Sequence, residues 1–80
     1  MISEADKAKL AVGFKQVVRA VKEDKAAKIF LAEECESKIS VPVGQAASEK
    51  GVQLFYVPTM KELGELCGID VSSSCAVVLK

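Results

Sequence analysis

Eighty residues are enough for one small folded domain and too few for two, and a chain that is 50% hydrophobic and 28% charged is not a disordered one. Eleven basic side chains cancel eleven acidic ones, so no overall positive charge recruits a nucleic acid, and any such contact must come from a local patch. Histidine is absent, which removes the commonest general base at neutral pH and counts against catalysis.

The opening Met1-Ile2-Ser3-Glu4-Ala5-Asp6-Lys7 has no apolar stretch of the secretory kind. No later run approaches the roughly 18 apolar residues of a membrane span. With three cysteines in no close pair, a reducing cytoplasm is expected. Ser3 is placed to cap a first short helix, with Glu4 and Asp6 in the opening turn where acids suit the helix dipole. Leu10-Ala11-Val12 reads as a brief strand, punctuated by Gly13. From Phe14 to about Asp24 the period is helical: at about 100° per residue, Phe14, Val17, Val18 and Val21 share one arc, and Lys15, Gln16, Arg19, Lys22 and Glu23 the opposite one.

Lys28 to Ala32 reads as a strand buried on both faces, ended by Glu33-Glu34. Ser40-Val41-Pro42 reads as a helix entry, Ser as cap and Pro in the first turn, with the helix running to Lys50 and closed by Gly51. Val52 to Val57 is the next strand, ended by Pro58. Thr59 and Glu62 have the spacing of a capping box, and the helix behind them turns Met60, Leu63, Leu66 and Cys67 inward before stopping at Gly68. Ile69 to Ser74 is a loop with two exposed-looking apolar residues, and Cys75 to Leu79 a final buried strand. Helical and strand patterns thus alternate at intervals of roughly ten to fifteen residues, the signature of an α/β fold.

Few constellations in this order can carry chemistry. Cys35, Cys67 and Cys75 sit in apolar runs or at element ends, where cysteine behaves as a small hydrophobe. Their spacing gives no close ligand pair, so no metal and no cofactor is expected. Glu33, Glu34 and Glu36 read as a solvated acidic surface, and Gly13 belongs to no nucleotide-binding fingerprint. What remains is the helix that opens at Gly13. Glycine lets a ligand approach the backbone, and the free amides of the first turn suit a phosphate. Lys15, Gln16, Arg19 and Lys22 follow on one face, with Glu23 able to pair with Arg19. Such side chains suit the donor and acceptor edges of bases. The same pattern also fits an ordinary solvated helix face, and composition does not separate the two.

Gly13-Phe14-Lys15-Gln16-Val17-Val18-Arg19-Ala20-Val21, the strand Lys28 to Ala32 with Glu33-Glu34, Val57-Pro58-Thr59-Met60-Lys61-Glu62-Leu63-Gly64 and Cys67-Gly68-Ile69-Asp70-Val71 together resemble the superfamily of ribosomal proteins that bind kink-turn RNA. The resemblance covers almost the whole chain in order, and the short bacterial, ribosome-associated members are the most similar. It implies one domain over residues 1–80, a three-layer α/β/α sandwich around a mixed four-stranded sheet. It further implies recognition of a kink-turn, an internal loop with tandem sheared G·A pairs and a sharply bent axis. Gly13 would lie against the RNA backbone, with Phe14 in the same segment where the family has a small polar residue. Lys15, Gln16 and Arg19 would face the guanines and nearby phosphates, Lys61 would match a lysine that reaches the RNA, and Ile69, Asp70, Val71 and Ser72 would match the loop that covers a flipped-out nucleotide. A monomeric, cytoplasmic RNA binder without catalytic residues is the expectation. Two alternatives stay open: a protein-interaction module of the same fold, marked by RNA binding that is absent or insensitive to salt, and a thiol-dependent enzyme using Cys35 or Cys75.

Overall fold

The structure, a computed structural model, describes residues 4–80, so the expected Ser3 cap lies outside the described residues. The chain runs α1 (Glu4–Ala8), β1 (Leu10–Val12), α2 (Phe14–Lys22), β2 (Ala26–Ala32), α3 (Ser37–Lys50), β3 (Gln53–Val57), α4 (Met60–Cys67) and β4 (Cys75–Leu79). The four strands form one mixed sheet in the order β1-β4-β2-β3. β2 pairs in parallel with β3, Phe30 opposite Phe55, and antiparallel with β4, Leu31 opposite Cys75; β4 pairs antiparallel with β1, Val12 opposite Ala76.

β2 is central and apolar on both faces, and alternation divides its side chains between two cores. Ile29 and Leu31 are buried with Val17, Ala20 and Val21 of α2 and Val43 and Ala47 of α3. Phe30 and Ala32 are buried on the other face with Leu63 and Cys67 of α4. The result is the α/β/α sandwich expected from the sequence. Each fully buried Leu, Ile, Phe or Val contributes about 1.5–3 kcal/mol, so the sheet is held by its two covers rather than by its short edge strands. Phe30 and Phe55 add a stacked pair at 5.4 Å.

β3 begins at Gln53, one residue after the expected Val52, and α2 ends at Lys22; the starts of β2 and α3 differ more. β2 begins at Ala26, with an irregular register between Ala26 and Lys28. Lys28 can stand in a mostly buried strand because Asp6 of α1 meets its ammonium at 3.2 Å. α3 begins at Ser37, one turn before the expected Ser40 cap, and Pro42 lies inside it. The Ile39 and Ser40 amides both donate to the Glu36 carbonyl, at 2.9 and 3.0 Å, so the turn is closed before the proline arrives. Proline removes the bond to the carbonyl four residues back, here that of the exposed Lys38, where water is at hand.

The start of α4 follows its sequence signal. Thr59 Oγ1 accepts from the Glu62 amide at 3.1 Å. Thr59→Ala should cost about 1 kcal/mol of stability, measured by denaturant unfolding; a loss of zero would mean the cap does not hold the helix.

Candidate nucleic-acid interface

Strand directions bring the predicted residues together. β1, β2 and β3 run the same way and β4 runs against them, so the ends of the first three and the start of β4 share one edge of the sheet. From that edge emerge Gly13 to Arg19 after β1, Glu33 and Glu34 after β2, Lys61 in the first turn of α4 after β3, and Ile69 to Ser72 just before β4.

Gly13 has φ 114°, ψ 156°, a conformation that L side chains rarely adopt, so the turn from β1 into α2 requires glycine. Its amide donates to the Cys75 carbonyl at 3.0 Å. No side chain caps α2 and no acid stands in its first turn, leaving that turn electropositive. α4 is different. Its first amides are taken by Thr59 and by Glu34, whose Oε1 accepts from the Met60 amide at 2.7 Å. Glu34 was expected only as solvated surface; it is a cap supplied by the neighbouring strand. The start of α3 has no side-chain cap either, but Glu33, Glu34 and Glu36 precede it and repel anions. Of the three helix starts on this edge, α2 is the one open to a phosphate.

Lys15, Gln16 and Arg19 are exposed, as the periodicity required. Lys15 and Lys61 make no ion pair among the described residues, whereas Arg19 Nε lies 3.3 Å from Glu23 Oε2. Lys25 is 3.3 Å from the other oxygen of Glu23, and hydrogen bonds from Lys25 and then Arg19 hold that carboxyl below its ordinary value. Phe14 is half-buried against the α2/α3-side core and lines a surface hollow with Lys15, Val18 and Arg19.

The loop before β4 is tightly tied. The Ser73 amide donates to the Met60 carbonyl at 3.0 Å, the Ser73 hydroxyl to the Cys75 carbonyl at 2.9 Å, and the Ala32 amide to the Ser74 carbonyl at 2.9 Å. One carbonyl, that of Cys75, therefore holds both the α2 start and the loop. Gly64 of α4 lets the loop approach: a methyl there would run into the Val71 carbonyl oxygen and lie 3.2 Å from Ser72 Cα. Val71 is 68% exposed, and Asp70 and Ser72 are exposed with it. Ile69, expected to be exposed, instead packs partly against the α4-side core.

One feature of this edge was not legible in the sequence. A hollow of about 360 Å³ is lined by Leu31, Ala32, Glu33, Ser40, Val41 and Tyr56, with Val41 and Tyr56 among the exposed large hydrophobic residues. The thiols offer no nucleophile: Cys67 and Cys75 are buried and Cys35 half-buried, and burial pushes all three above the ordinary thiol value. No helix among the described residues is long and apolar enough to cross a membrane.

Residues 2–80 match the ribosomal protein L7Ae/L30e/S12e/Gadd45 family. The chain is 41% identical over 68 residues to an RNA-binding protein of Caldanaerobacter subterraneus, covering 85% of this chain and 83% of that one. It is 31% identical to the large ribosomal subunit protein eL8 of Halobacterium salinarum, over 84% of this chain and 57% of that one. The fold superposes with a TM-score of 0.80 on a Giardia lamblia 15.5kD RNA binding protein, at 22% identity, covering 95% of this chain and 64% of the other.

Proposed function

The chain belongs to the ribosomal protein L7Ae/L30e/S12e/Gadd45 family, and from that premise we propose that this RNA-binding protein recognises a kink-turn and holds it in its bent form. The supporting observation is the pairing, on one sheet edge, of an uncapped helix start carrying Lys15, Gln16 and Arg19 with a tied loop presenting Val71. Gly13 and the Phe14 amide meet the RNA backbone, and the three polar side chains reach the guanine edges and phosphates. Lys61 supplies a further phosphate contact from α4. Ile69, Asp70, Val71 and Ser72 cover the nucleotide displaced from the stack, Val71 by direct apolar contact and Ile69 as the partly buried root beneath it.

The mechanism is conformational. Bending an RNA axis costs free energy, and a protein surface that fits only the bent form raises its population by its differential affinity for that form. No bond is made or broken. The reading takes residues 1–80 as one monomeric, cytoplasmic, ribosome-associated unit. Titration of a generic kink-turn should show binding about tenfold tighter than to the same RNA with its G·A pairs replaced, a discrimination of about 1.4 kcal/mol. Affinity should also fall with added salt. Equal affinity for the two RNAs removes the kink-turn reading; salt-insensitive binding favours a protein-docking module.

A further inference from the structure

We propose that the RNA interface does not end at the tip of α2 but continues down the groove between α2 and the edge strand β1, where Arg19, Lys25 and Lys9 hold the phosphate backbone of a stem leaving the kink. This extension rests on the kink-turn reading. The groove, of about 200 Å³, is lined by Ala11, Gln16, Arg19, Ala20, Glu23, Lys25 and Leu79. Gln16 sits at its upper end, inside the site already described. Seven residues of helix separate Gln16 from Glu23, about 10 Å, so the groove leads directly away from the tip.

Lys9 is next to a lining residue, Leu79, at the lower end. The Leu79 amide donates to the Lys9 carbonyl at 2.8 Å, which sets Lys9, in the turn that enters β1, beside Leu79. Lys25 reaches the same end from the turn after α2, its backbone amide held by the Ala20 carbonyl at 2.8 Å. Two cations, Arg19 and Lys25, thus flank one acid, Glu23. That acid is already shared: Arg19 pairs through Nε and Lys25 through its ammonium, each at 3.3 Å. The two terminal amino groups of the Arg19 guanidinium have no partner among the described residues, and a guanidinium oriented at Nε can present them to a phosphate. Asp24, next along the chain, is turned to Lys50 at 3.4 Å. The groove therefore keeps a net positive charge in a protein whose total charge is zero. Below Gln16 and Arg19, the side chains of its floor, Ala11, Ala20 and Leu79, offer no hydrogen bonds with which to read bases. Sequence-independent backbone contact is what such a surface supports.

The full chain is titrated with two RNAs, a kink-turn with minimal stems and the same kink-turn with lengthened stems. Lengthening should raise wild-type affinity about fivefold and steepen its salt dependence, since more phosphates are neutralised. Lys9→Gln with Lys25→Gln should bind the short RNA as the wild type does and lose the gain. Glu23→Gln should enlarge it. The proposal is overturned if lengthening brings no gain or if the double variant keeps it. Failure of the wild type to bind even the short RNA overturns the kink-turn reading itself, and the extension with it.

Discussion

Replacing Lys15 and Arg19 together by alanine should weaken kink-turn binding by about thirty- to a hundredfold while leaving the protein folded. Each side chain reaching a base edge or phosphate is worth about 1–3 kcal/mol, and a factor of ten corresponds to about 1.4 kcal/mol. Arg19 is discounted within that range because it must share its charge with Glu23, 3.3 Å away. The fold should survive because the core uses the opposite face of α2, through Val17, Ala20 and Val21. Alanine is also a better helix former than either residue, and the change removes a like-charge pair one turn apart. Gel-shift titration measures the first effect and thermal unfolding the second. Unchanged affinity would remove the α2 tip from the binding site.

Gly64→Ala should make the protein about 2 kcal/mol less stable and reduce RNA affinity several-fold, although Gly64 touches no predicted contact residue of α2. In an isolated helix the change would stabilise by about 1 kcal/mol. Here the added methyl meets the backbone of Val71 and Ser72, and that backbone is tied by the Ser73 bonds on one side and by Ile69 in the core on the other. Overpacking a site that cannot retreat costs about 1–3 kcal/mol beyond the helix term. For a chain this short, the melting temperature should fall by roughly 10 °C. A variant that melts and binds like the wild type would show that the loop yields freely and is not a fixed part of the surface.

Much of this architecture was open to inspection in the sequence because it depends on local signals. The spacing of Val17 and Val21 against Lys15, Gln16 and Arg19 separates the buried and exposed sides of α2. Thr59 caps where its hydroxyl and spacing say it should. Gly51 and Gly68 close α3 and α4 in the left-handed conformation that glycine takes readily. What was not legible depends on partners far along the chain. Ser40-Val41-Pro42 looks like a helix entry, but the helix is already under way because Glu36 closes its first turn. Glu34 looks like surface until the parallel pairing of β2 with β3 brings it to Met60, 26 residues on. Ile69 looks exposed because nothing nearby shows that Gly64 admits the loop to the flank of α4.

The doubly bonded oxygen of Cys75 has a consequence for how bending work is divided. With the α2 start and the Ser73 turn hydrogen-bonded to the same atom, widening the gap between them costs one of the two bonds, about 1 kcal/mol. On the proposed kink-turn reading, the entropy lost on association falls chiefly on the RNA, whose own ease of bending then governs which sequences are gripped.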